Sequence, residues 1–205
     1  MISTMEPEPQ KQELEAPFLL IATPQVLDPF FNKSVVLLLH HDEEGSFGFN
    51  LNRPAAVSVS EILEGLEIEW TGDPNVRAFV GGPVQPQLGT VLFGDKNAQP
   101  SAVVGDETTT CLLPGLAMTQ HLGDLARLAR NPPAGLRLYL GYAGWGAGQL
   151  MQEIMRNDWI VGPVAEDLLF ASDHTSVWSL ALEAAGVDPS TLPSWTPDDS
   201  AAGVN

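Results

Sequence analysis

Nine residues from Gly141 to Gln149, reading Gly-Tyr-Ala-Gly-Trp-Gly-Ala-Gly-Gln, hold the densest chemical signal in the chain. Glycine lets backbone come close to a ligand, and the free N–H groups of a helix start attract negative charge. If a strand ends near residue 140 and a helix spans about 147–156, the segment joins them, and the ligand it suits is a small anion or phosphate-bearing molecule over the helix's first turn. The spacing is not Gly-x-Gly-x-x-Gly and the lysine of a Walker loop is missing, so no nucleotide fingerprint is met. The same glycines would also serve a tight corner beneath the bulky Trp145. On the expected helix, Gln149, Glu153 and Arg156 share one side, and Glu153 with Arg156 three positions later reads as a surface ion pair.

Two further turns carry candidate contacts. Arg53 follows Asn52 and precedes Pro54, and a guanidinium recognises anions in a planar, bidentate way. Gly82 lies in Gly81-Gly82-Pro83-Val84. The expected binding surface combines Arg53, Gly82, Tyr142, Trp145 and Gln149, provided that these separated corners form one recess. His40-His41-Asp42-Glu43-Glu44 resembles a metal cluster, but neighbours on a strand point to opposite faces, so the two histidines are not expected to share an ion. His121 and His174 have no serine or cysteine partner in sequence, and no Gly-x-Ser-x-Gly elbow occurs. No catalytic residue, metal or cofactor is therefore assigned. The single cysteine, Cys111, excludes an intramolecular disulfide and reads as a small buried hydrophobe.

The elements that must position these residues are short, because 17 prolines and 19 glycines divide the chain. Residues 18–22 read as a strand. The continuous apolar run of residues 35–40 reads as a central strand buried on both faces, paired in a hairpin with residues 45–51. Ser58 or Ser60 caps a short helix ending near residue 66. Further strands are expected at 77–80, 88–93 and 101–104, an amphipathic helix at 116–130, a half-buried strand at 136–140, a strand at 159–161 and a last helix at 175–185. Strands and helices mix without strict alternation, which favours an α+β domain. Residues 1–15 read as a disordered acidic tail, 16–188 as one domain, and 189–205 as an irregular tail.

With nine basic against 26 acidic residues, the net charge is −17. Duplex binding relies on Lys and Arg displacing phosphate counterions, so direct nucleic-acid contact is not expected. Arg127, Arg130, Arg137 and Arg156 nevertheless form a locally basic stretch that could receive an anion. Apolar runs such as residues 35–39 fall far short of the roughly 20 residues that span a bilayer. The start of the chain lacks a basic, apolar leader, so a cytoplasmic protein without a membrane role is expected.

Several segments together resemble the YqgE/AlgH family of bacterial proteins. They are Ala16-Pro-Phe-Leu-Leu-Ile-Ala-Thr-Pro24, His41-Asp-Glu-Glu-Gly-Ser-Phe-Gly48 continuing to Leu51-Asn-Arg-Pro54, Gly81-Gly-Pro-Val-Gln85, and Gly141 to Leu150 with Trp159. The resemblance runs over about residues 16–180. It implies a single α+β domain whose mixed sheet is bifurcated and partly closed, a pseudo-barrel with flanking helices. It implies no catalytic residues or cofactor, and a label of transcriptional regulator that rests on phenotype. Met151 stands where relatives often carry a glutamate. The functional expectation is a non-enzymatic regulatory protein binding a small anionic ligand or a protein partner, with indirect effects on transcription. The alternatives are a hydrolase of a phosphorylated or acyl metabolite using His41 or Glu153 as base, and direct regulation through DNA.

Overall fold

The computed structural model describes residues 14–96 and 109–193. The expected strand at 101–104, and most of the two expected tails, lie outside the described residues. Ten strands are present among them: β1 (Phe18–Ala22), β2 (Val35–His41), β3 (Gly45–Asn50), β4 (Pro54–Ser58), β5 (Arg77–Val80), β6 (Val84–Gly94), β7 (Thr109–Leu113), β8 (Leu116–Thr119), β9 (Leu136–Gly146) and β10 (Trp159–Gly162). Five helices accompany them: α1 (Val59–Gly65), α2 (Leu122–Arg130), α3 (Gln149–Met155), α4 (Glu166–Leu169) and α5 (Val177–Ala184). None of the described helices is long and apolar enough to cross a membrane.

The fold is α+β, with one sheet that forks. One arm runs β10-β1-β2-β3-β9 and the other β4-β5-β9-β6-β8-β7, so β9 belongs to both. Every pairing is antiparallel except β5 with β9. At β1 and the first half of β2 the first arm is buried on both faces, which explains the unbroken apolar runs there. Leu19, Ile21, Val35 and Leu37 face a core that includes α4 and α5, while Leu20, Val36 and Leu38 face a second core built on Trp145, Leu150 and Trp159. A third core lies between the second arm and helices α1 and α2.

The hairpin of β2 and β3 forms as expected. Its turn is closed by Asp42, whose Oδ1 accepts the N–H groups of Glu44 (2.8 Å) and Gly45 (3.0 Å). These two bonds, together with His40, hold the Asp42 carboxyl below the usual carboxylate range. Helix α1 starts on a capping box: Ser58 Oγ accepts the Glu61 N–H at 3.2 Å, and Glu61 Oε2 accepts the Ser58 N–H at 2.7 Å. Replacing the cap, Ser58→Ala, is expected to cost about 1 kcal/mol in urea unfolding. The Ser58 bonds hold the Glu61 carboxyl below its ordinary 4.5. Its contribution is complete above that value and lost as pH falls through the lowered one. The difference in melting temperature between wild type and Glu61→Gln should therefore narrow on acidification.

Three expectations are corrected. Residues 116–119 form β8, in register with β6 (Leu92↔Met118), and the helix begins only at Leu122, which is exposed. Local helical spacing carries no information about the strand edge that β6 offers. The strand expected to be half-buried at 136–140 is covered on both faces at its centre: Arg137 and Tyr139 are buried. Arg137 donates from Nη1 to the Leu51 carbonyl at 2.6 Å and from Nη2 to that of Ala171, with its guanidinium 4.2 Å above the Phe79 ring. Burial pushes the Tyr139 phenol up. Finally, most of the glycine-rich segment is strand rather than corner: Gly141–Gly146 is the second half of β9, and the turn into α3 is confined to Ala147 and Gly148, the latter at φ +70°.

Candidate functional site

The site is organised by the point at which β9 changes sheets. Up to Tyr142 the strand pairs with β6, and from Ala143 to Gly146 it pairs with β3. Gly141 makes the change with φ +67°, a left-handed conformation that side chains rarely adopt. Beyond it the strand alternates: Ala143 and Trp145 point into the core, whereas Gly144 and Gly146 are exposed and Tyr142 is half-buried.

Trp145 meets Trp159 edge-on at 5.9 Å, and Phe31 packs on Trp159 at 5.7 Å. Buried indoles need acceptors for their N–H groups. Both find the same atom, Glu153 Oε2, each at 2.8 Å. Gln149 Nε2 donates to the other oxygen at 2.9 Å, and Gln149 Oε1 accepts the Gly146 N–H at 3.1 Å. The expected Glu153–Arg156 pair does not form. Arg156 instead pairs with Asp158, two residues further on, at 2.7 Å, because the carboxylate of Glu153 faces the indoles.

Three recesses surround this strand. The first, of about 350 Å³, is lined by the turn at Asp42 and Glu44, by His40 and Phe47, and by Tyr142 and Gly144. His40 stacks on Phe47 at 5.8 Å, and Phe47 meets Tyr142 edge-on at 6.1 Å. The second, of about 300 Å³, lies between the loop at Asp28–Phe31 and the group Trp145, Gln149, Glu153 and Trp159. The third, of about 290 Å³, shares Phe47 and Tyr142 with the first and is lined also by Gln85, Leu88 and Gln120.

Of the residues named from sequence, Tyr142, Trp145 and Gln149 are brought together here. Arg53 and Gly82 line none of the three recesses. Arg53 donates to the Pro29 carbonyl at 2.8 Å and to that of Phe30, with its guanidinium 4.7 Å over the Phe30 ring, so it fastens the loop that walls the second recess. Gly82 lies directly against the backbone of Tyr142 and Ala143, where a Cβ would come within 1.9 Å of the Tyr142 carbonyl carbon. The four arginines read as a basic island are dispersed: Arg137 is in the core, Arg127 pairs with Asp124 and Arg156 with Asp158. His40 and His41 take separate partners, Asp42 Oδ2 at 2.8 Å and Ser46 Oγ at 2.7 Å. Among the described residues no group of three His, Cys, Asp or Glu side chains is placed to hold a metal.

The AlgH-like family model matches residues 19–190, which include the fork and all three recesses. The chain belongs to the AlgH-like family. A UPF0301 protein of Myxococcus xanthus is 38% identical over 178 residues, covering 86% of this chain and 94% of that protein. A second UPF0301 protein, from Ruegeria pomeroyi, is 40% identical over 173 residues, covering 83% and 91%. Among solved structures, that of the AlgH protein from Pseudomonas aeruginosa is similar with a TM-score of 0.67 and 32% identity, covering 87% of this chain and 95% of that one. A Corynebacterium diphtheriae protein of 26% identity gives a TM-score of 0.66. This AlgH-like chain thus has the forked α+β fold that its segments implied. Sequence reasoning passed over Phe47 and His40 as recess walls, and Glu153 as the acceptor of two indoles.

Proposed function

We propose that this AlgH-like protein is a non-enzymatic binding protein of the cytoplasm, which receives a partner at the fork of its sheet and regulates through that partner. The observation that carries the reading is the convergence of recesses on one short piece of β9, with the rings of Phe47 and Tyr142 between two of them. Aromatic side chains beside accessible backbone are common recognition material. Asp42 and Glu44 at the first recess repel an anion, so a cationic or protein ligand fits better than the phosphate-bearing molecule that glycine content alone would suggest. Arg53 and Gly82 serve this surface from behind, Arg53 by holding the loop at Pro29 and Phe30, Gly82 by letting the chain cross beneath Tyr142. Regulation through DNA contact is disfavoured by the net charge of −17.

Thermal shift against nucleotides, phosphorylated metabolites and basic peptides tests the reading. Basic peptides should stabilise the protein, by about 2.7 kcal/mol at a hundredfold excess over Kd, and anions should not. Tyr142→Ala should remove the response. Silence from every probe, or a response unchanged in Tyr142→Ala, would sink the proposal.

One observation favours a second reading, a hydrolase: Ser46 Oγ lies 2.7 Å from His41 Nδ1, and Ser46 lines the first recess. Ser46 and His41 are also cross-strand partners in the hairpin, which accounts for the contact without chemistry. A fluorophosphonate probe that leaves Ser46 unlabelled would remove this alternative.

A further inference from the structure

Among the described residues, the fork leaves one stretch of backbone without a neighbouring strand on one side. β6 accompanies β9 only as far as the pair Val84↔Tyr142, because just before Val84 the chain crosses β9 at Gly82. On the other side, β3 flanks Ala143–Gly146 throughout. A Cβ at Gly45 would lie 2.6 Å from the Trp145 carbonyl oxygen, so Trp145 directs its backbone polar groups toward β3. Backbone groups alternate along a strand, which turns those of Gly144 and Gly146 to the opposite side. The Gly146 N–H is met there by Gln149 Oε1. Among the described residues no strand is in register with residues 143–146 on that side. Both Gly144 and Gly146 are exposed.

We infer that the open side of Ala143–Gly146 captures an extended, basic segment of a partner protein as an added strand, with an arginine or lysine of that segment seated in the first recess. This rests on the reading of the fork as a partner-binding surface and specifies how the partner is held. Unpaired strand edges recruit extended chain through main-chain hydrogen bonds, while pockets beside the edge select alternate side chains. Gly144 presents no side chain, so an incoming strand can lie close and drop a side chain into the recess. The platform of His40, Phe47 and Tyr142 suits a guanidinium or an aliphatic stem, and Asp42 and Glu44 supply opposite charge at its end. The N–H groups of Glu44 and Gly45 and the ring of His40 hold the Asp42 carboxylate in place beside that platform. The occupant follows from charge. A second copy of this chain, also at −17, or an acidic segment, is repelled, and a basic one is attracted.

The test uses isotope-labelled full-length protein and blocked peptides of alternating arginine and valine, with amide shifts as readout. Shifts should concentrate at Tyr142, Gly144 and Gly146. N-methylation of one alternate set of peptide amides should weaken binding about tenfold, while methylation of the other set leaves it nearly intact. Glutamate in place of arginine should abolish binding, and Glu44→Lys should weaken it with the spectrum otherwise unchanged. If shifts fall at the fork but both methylated sets bind alike, strand addition is wrong and partner binding at the fork survives. If shifts fall elsewhere, or none occur, both proposals are overturned. Concentration-dependent shifts at Gly144 without peptide, matched by a dimer in sedimentation, would show that a second copy occupies the edge and would overturn the basic-partner inference.

Discussion

Glu153→Ala is expected to lower the unfolding free energy by about 2–4 kcal/mol. Each buried donor left without a partner costs about 1–3 kcal/mol, and this substitution strands two. Trp145 and Trp159 are 7% and 5% exposed, and Glu153 lies half-buried on the wall of the second recess, so water entering in its place recovers part of these bonds but not both at their present geometry. Both indole N–H groups converge on one oxygen at 2.8 Å, and Gln149, which donates to the other, would lose its orientation as well. Glu153→Gln separates charge from geometry. An amide oxygen can accept both indoles where Oε2 stood, but its NH₂ then faces the NH₂ of Gln149 until that side chain rotates. The expected cost is about 1–2 kcal/mol, since bonds to a charged acceptor are stronger than those to a neutral one. Urea unfolding followed by tryptophan fluorescence and near-ultraviolet dichroism provides the check. A Glu153→Ala protein within about 0.5 kcal/mol of wild type would mean that the indoles are satisfied in some other way, because ordinary surface substitutions fall in that range.

That carboxylate also shows where reading the sequence succeeds and where it stops. Residues 35–40 announce a strand buried on both faces because nothing in the run is polar before His40, and Ser58 and Ser60 announce a helix start because capping residues stand just ahead of clustered acids, the structure then choosing Ser58. Both signals are local. Glu153 and Arg156, three apart on a helix, carry a local signal too, but the two indoles outcompete the arginine because a buried N–H has more to lose than a solvated guanidinium. A trace of this is present in the sequence: Trp145 and Trp159 flank the one acid on that helix, and buried indoles must find acceptors. The segment 141–149 misleads for a different reason. Glycines usually break a strand, yet here Ala143 and Trp145 alternate inward, Gly144 and Gly146 face outward, and Gly141 sits where the backbone of Gly82 and Val84 passes. No local pattern distinguishes a glycine that bends its own chain from one that makes room for another. The same limit hides the fates of Arg53 and Arg137, whose partners are carbonyls at 23–24 and 34–86 positions' distance.

Gly82→Ala puts that distinction to a direct test. A Cβ at this position would sit 1.9 Å from the Tyr142 carbonyl carbon, 2.0 Å from its oxygen and 2.1 Å from the Ala143 nitrogen. All three atoms are backbone, so no flexible side chain can swing aside, and the strand that must yield is the one shared by both arms of the sheet. Overpacking a well-filled site costs about 1–3 kcal/mol where side chains can adjust. With backbone on both sides of the clash the expected loss is at least about 3 kcal/mol. The displacement should also reach function: moving Tyr142 away from Phe47 opens the wall common to the first and third recesses, so basic-peptide binding should fall together with stability. Gly89→Ala is the control. It lies on the same β6 that follows the crossing, is exposed, and a Cβ added there would meet nothing within 4 Å, so its stability should stay within about 1 kcal/mol of wild type. If Gly82→Ala is as stable as Gly89→Ala, the two chains do not cross at that distance. The end of β6 could then extend past Tyr142, and the open edge at Gly144 would close with it.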